Sequence, residues 1–145
     1  MNSDVKGRPF ELYETENGNV PSDLRKICSG LGEFVDNLED EKKKRLSPDD
    51  LGWIRTNLRW LRNGERSFSE LKMLKRLSRV GPDLFVLKRT KGDANPRIYL
   101  TDLLPERYVI LHGYKKDSYD QDPEEQKKAE DRLEDLRARI QSDGG

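Results

Sequence analysis

Two helix-patterned stretches stand between the first strand pattern of this chain and three later ones, and that order restricts the fold more than any other feature. Phe10-Glu-Leu-Tyr13 alternates apolar and polar residues and reads as a short strand. Turn chemistry follows through Asn17-Gly18-Asn19. A helix is expected from Pro21-Ser22-Asp23, with Leu24, Ile27, Leu31, Val35 and Leu38 on one stripe and Cys28 and Phe34 beside it. Gly30 and Gly32 each weaken that helix by roughly 1 kcal/mol relative to Ala, so it needs tertiary support.

Ser47-Pro48-Asp49-Asp50 announces a second helix: Ser47 caps it, Pro48 fits its first position, and the aspartates suit the positive end of its dipole. Leu51, Ile54, Leu58 and Leu61 form its core stripe, and Asn63-Gly64 ends it. Trp53 and Trp60 lie one heptad apart on roughly the opposite face, either packed under the first helix or forming a partner surface. Leu71 to Val80 is ambiguous, with leucines at helical spacing and Lys72, Lys75, Arg76 and Arg79 crowding the other side. Leu84-Phe-Val-Leu87 reads as a central strand, Thr90 to Pro96 as a hairpin-like loop, Arg97-Ile-Tyr-Leu100 as the next strand and Tyr108 to His112 as the last. Asp122 caps a final helix with a thin stripe of Ala129, Leu133, Leu136 and Ile140.

The expected order is therefore strand, two helices, three strands, helix. It implies an α+β domain: a small antiparallel-rich sheet, two N-terminal helices on one face, and the opposite face open to solvent. The 145 residues suit one domain, with a core over about residues 8–120 and an acidic helix over about 122–141. With 32% hydrophobic and 39% charged residues, most elements bury only one face. No apolar run is long enough to span a membrane, Met1 to Pro9 is too polar for a signal peptide, and a single Cys28 forms no internal disulfide. These features lead to the expectation of a cytoplasmic protein.

A net charge of zero conceals a strong asymmetry. Residues 1–41 hold 4 Lys/Arg against 10 Asp/Glu, residues 42–116 hold 19 against 8, and residues 117–145 hold 5 against 10. A basic centre between acidic flanks suits binding to a polyanion. Lys42-Lys-Lys-Arg45 reads as a solvated connector. The string Arg107-Tyr-Val-Ile-Leu-His-Gly-Tyr-Lys-Lys116 runs an apolar strand into the one histidine, an aromatic and two lysines, a placement suited to meeting phosphate. There is no Walker loop, dinucleotide glycine pattern or HExxH motif, and one histidine with scattered carboxylates makes no metal constellation.

These motifs resemble the RelE/ParE toxin superfamily, most closely its phage-derived HigB-like branch. The resemblance covers roughly residues 8–130 and rests on Phe10-Glu-Leu-Tyr-Glu-Thr-Glu-Asn-Gly-Asn-Val-Pro21, on the paired strands Leu84–Arg89 and Pro96–Leu100, and on Val109-Ile-Leu-His-Gly-Tyr-Lys-Lys116 followed by a proline-started helix. It implies the toxin of a type II toxin–antitoxin pair, an endoribonuclease that cleaves mRNA on the translating ribosome without metal or cofactor. The implied partners are mRNA, the ribosome and a small helix-turn-helix antitoxin, with no membrane. A neighbouring branch poisons DNA gyrase, and the alternative is a non-catalytic interaction module of the same fold, either a gyrase-poison relative or an inactive phage-derived protein. The long interhelix region, the loop 101–106 and the acidic tail depart from the family pattern.

Positions resembling the catalytic groups are Arg97, His112, Lys115, Lys116 and Tyr119. Arg97 would hold phosphate bidentately, because a guanidinium stays charged. An unperturbed imidazole has its pKa near neutrality, so His112 is the expected acid or base. Lys115 and Lys116 would hold the backbone or take that role, and Tyr119 would stack on a base or donate a proton. Lys72, Lys75, Arg76, Arg79, Lys88, Arg89, Tyr99 and Tyr114 are expected to make RNA or ribosome contacts. Strand alternation puts Arg97 and Tyr99 on the open side if Ile98 and Leu100 face the helices. It places His112 and Tyr114 with Tyr108 and Ile110, and Lys115 with Val109 and Leu111, and a bulge or strand end near Gly113 would bring both sets to one cleft.

Overall fold

The computed structural model describes residues 7–38, 46–89, 96–115 and 121–143. The chain is α+β, in the order β1 (Phe10–Leu12), α1 (Ser22–Ile27), α2 (Pro48–Asn63), α3 (Phe68–Met73), β2 (Leu77–Gly81), β3 (Leu84–Lys88), β4 (Pro96–Thr101), β5 (Tyr108–Lys115) and α4 (Gln121–Asp143). The five strands form one mixed sheet, β1-β5-β4-β3-β2, in which only the β1–β5 pairing is parallel. The expected order lacked one helix and one strand. The ambiguous stretch supplies the extra strand, because Leu77 to Gly81 pairs with β3. The extra helix begins at Ser67, whose hydroxyl accepts from the Glu70 backbone N–H while the Glu70 carboxylate accepts from Ser67 N–H. That reciprocal cap is a Ser-x-x-Glu signal.

α2 begins and ends where its caps predict. The Ser47 hydroxyl accepts from the Asp50 N–H at 3.2 Å, and Gly64 closes the helix in the left-handed region at φ 72°. The first helix is shorter than its stripe suggests. Gly30 has φ +94° and its missing side chain makes room for Leu51, 2.8 Å from where a Cβ would stand. The chain therefore turns there, and Val35 bridges to Phe10 instead of continuing the helix. Leu24, Ile27, Cys28, Leu31 and Val35 are still all buried, so the stripe was core although only its first part is helical. Burial pushes the Cys28 thiol up to about 12, as befits a small apolar residue.

One sheet face meets α1 and α3. A Cβ on Gly113 would stand 2.8 Å from Ile27, and Phe68 packs edge-on to Phe85 and stacked on Tyr108. The other face is not open. α4 lies over it, with Ala129 and Leu133 fully buried and Leu136 packed at their side. Among the described residues no helix is long and apolar enough to cross a membrane. The connector Lys42–Arg45, the loop at 90–95, and Lys116 and Tyr119 lie outside the described residues, as does the side chain of Asp122.

Candidate nucleic-acid interface

The register of β3, β4 and β5 decides which side chains meet. Arg97 stands opposite Tyr114 and Lys88, and Tyr99 opposite His112 and Val86, so these six share one face. On β4 the alternation holds but the side is not open: Arg97 and Tyr99 point away from the fully buried Ile98 and Leu100, onto the face that α4 covers, where Tyr99 is buried. On β5 a bulge changes the parity. Tyr99 pairs with His112 but Leu100 pairs with Ile110, leaving Leu111 as the extra residue. Tyr108 and Ile110 therefore face α1 and α3 while His112 and Tyr114 face α4. The expected bulge exists, two residues before Gly113. It does not unite all the candidates: Lys115 pairs with Pro96 and keeps the parity of Gly113, opposite to that of His112.

The bulge also frees a carbonyl, and α4 satisfies it. Arg132 Nη1 donates to the Leu111 carbonyl at 2.8 Å and lies 3.2 Å from His112 Nδ1. A guanidinium has only donors, so Nδ1 must accept. The proton of the neutral ring then sits on Nε2, which donates to the Glu125 carboxylate. Asp23 lies 3.7 Å from Arg132, and Lys128 lies 3.8 Å from Glu125. His112 is only 2% exposed. Burial holds its pKa below the ordinary value, and the hydrogen bond and charge of Glu125 offset only part of that effect. With α4 docked, both ring nitrogens are occupied.

Further along α4, Tyr13 donates to Asp135, and Arg139 bonds both the Glu14 carbonyl at 2.6 Å and Asp135 at 2.8 Å. Arg137 reaches Asp83 in the β2–β3 turn at 3.1 Å. Tyr99, His112 and Tyr114 run near-parallel beneath the helix, with centroids 6.0–6.3 Å apart.

The other expected contact residues divide. Lys72, Lys75 and Arg79 are exposed, on α3, just after it, and on β2. Lys88 and Lys115 are half-buried at strand ends. Arg76 lies across the rings of Trp53 and Trp60, at 5.6 and 5.3 Å. The two tryptophans are thus half-buried beneath a guanidinium. Arg89 is held by the buried Asp50 at 2.9 Å and ties the end of β3 to the start of α2. Arg97 donates to the Arg89 carbonyl at 3.3 Å.

Glu125, Arg132 and Asp23 were not anticipated. A signal existed, since Glu125, Ala129, Arg132, Leu136 and Arg139 alternate at spacings of four and three and so form one helical stripe. Counting only apolar residues hides it. No family model, curated protein or solved structure matches this chain.

Proposed function

We propose that this chain is an RNA-directed toxin of the RelE-like type, an endoribonuclease working from the sheet face of Arg97, Tyr99, His112 and Tyr114, with α4 closing that face in the form described here. The observation that carries this reading is the register that sets Arg97 beside Tyr114 and Tyr99 beside His112 on one side of adjacent strands. RNA cleavage by the neighbouring 2′-hydroxyl needs a base for that proton, a cation for the crowded phosphate and an acid for the leaving 5′-oxygen. Acid or base groups contribute about 10²–10⁴-fold each. Arg97 supplies the cation and His112 the acid or base. Tyr99 and Tyr114 offer rings to unpaired bases.

In the closed form His112 accepts from Arg132 and donates to Glu125, so it has no lone pair for substrate. Activity on this reading requires α4 to lift, and its attachment is modest. Burying a leucine contributes about 1.5–3 kcal/mol, and a partly exposed ion pair such as Arg137 with Asp83 contributes about 0–1 kcal/mol. The substrate on this reading is mRNA at the ribosome, and a small helix-turn-helix antitoxin is the partner.

A second reading, a non-catalytic interaction module, is favoured by the same locked histidine. Induced expression with primer extension on cellular mRNA separates the two. Wild type and Leu133→Ala should produce growth arrest and cuts positioned by codon, the latter at least as strongly, whereas Arg97→Ala and His112→Ala should produce neither. Intact mRNA in cells holding folded Leu133→Ala protein would leave the interaction module standing.

A further inference from the structure

The turn between α3 and β2 is the most unusual surface among the described residues. Met73 is 82% exposed and Leu74 46% exposed, side by side, and both are large apolar residues in a chain poor in them. Lys72 and Lys75 flank them and are exposed. Between residues 55 and 79 the chain carries eight Lys/Arg and two Glu. The acid of α3, Glu70, is engaged in its own helix cap and lies 3.6 Å from Arg66. Arg76, two residues beyond Leu74, spreads over Trp53 and Trp60, which extends the turn into an aromatic surface.

Backbone conformation supplies a second observation. Lys75 N–H bonds to the Lys72 carbonyl and Arg76 N–H to the Leu71 carbonyl, a closing pattern whose left-handed residue is usually glycine. Here Lys75 occupies it at φ 60°. A β-carbon in that region is strained, and residues held that way cluster at functional sites.

The geometry points to a docking surface for an acidic, amphipathic protein segment, whose apolar side chains cover Met73 and Leu74 while its carboxylates meet Lys72 and Lys75. Charge complementarity selects an acidic partner. The exposed thioether and isobutyl groups select a protein over a nucleic acid, because a phosphate backbone gains nothing from them while an apolar side chain does; methionine also adapts its shape to partners. The Arg76 guanidinium is held over the two indoles, which favours its use as part of a wall. This surface is separate from the sheet face and does not depend on whether that face cuts RNA.

The test uses the full chain and a synthetic helical peptide of Glu with Leu at alternating third and fourth positions, read by the fluorescence of Trp53 and Trp60. Controls are the same peptide with Lys for Glu, and a uridine oligonucleotide. The acidic peptide should bind and the lysine peptide should not. Met73→Ser combined with Leu74→Ser, both at exposed positions, should weaken binding at least tenfold with the melting temperature unchanged. Lys75→Gly should raise the melting temperature by about 3 °C and still weaken peptide binding. Peptide binding indifferent to the serine pair would overturn the proposal, since charge alone would then explain it. So would tighter binding of the oligonucleotide through the same residues.

Discussion

Replacing Leu133 by Ala should separate α4 from the rest of the molecule. Leu133 is 2% exposed and Ala129 0%, and with half-covered Leu136 they make up the apolar contact between this helix and the sheet. Leucine-to-alanine changes in closed cores cost about 2–5 kcal/mol. α4 packs with one face only and can settle toward the sheet, so the lower part of that range, about 2–3 kcal/mol, applies. Each 1.4 kcal/mol is a factor of about ten, so the undocked population should rise roughly 30- to 150-fold. Native-state hydrogen exchange reads this directly. Amides of α4 should lose protection by that factor while those of β3 and β4 change little, because the opposite face keeps its own core of Phe10, Leu12, Ile98 and Leu100. Equal loss of protection in β4 and α4 would refute the reasoning, since the helix would then unfold only together with the sheet. Unchanged exchange in α4 would refute it as well, by showing that polar contacts alone hold the helix.

Two further outcomes follow from the same contacts. His112 has a depressed pKa in the folded chain, against an ordinary value of 6.5, so below that value the unfolded chain binds the proton more readily. Stability should therefore decline as pH falls from 6.5 toward the depressed value, beyond the trend of a His112→Gln variant measured by urea unfolding. The added proton would sit on Nδ1 against Arg132, with Glu125 and Asp23 as compensating charges and Lys128 beside Glu125. Gly113→Ala should destabilise by about 1–3 kcal/mol through overpacking, because its Cβ would stand 2.8 Å from Ile27 and 3.0 Å from Ile98. A urea midpoint equal to wild type in that variant would show that α1 shifts freely.

Local chemistry determined a good part of this protein. Ser47 with Pro48 and the glycine at 64 define α2 whatever surrounds them, because caps act over one turn. Two-residue alternation placed Arg97 and Tyr99 on one side of β4, since neighbouring Cβ atoms of a strand point to opposite faces. The periodic stripe through Leu24 to Val35 named core residues correctly even where the helix stopped. Tertiary structure decided what local pattern leaves degenerate. Whether Leu77 to Gly81 is strand or helix depends on β3 offering a partner, because the helical spacing of Leu71, Leu74 and Leu77 runs up to its first residue. Leu111 becomes the bulged residue only because Ile110 faces one helical layer and His112 the other, and an alternation broken by one residue cannot be located without its partner strand. Which element covers a face is settled last. The α4 stripe mixes Arg132 and Glu125 with its apolar residues, and burying those charges is affordable only where a freed carbonyl and an imidazole await them.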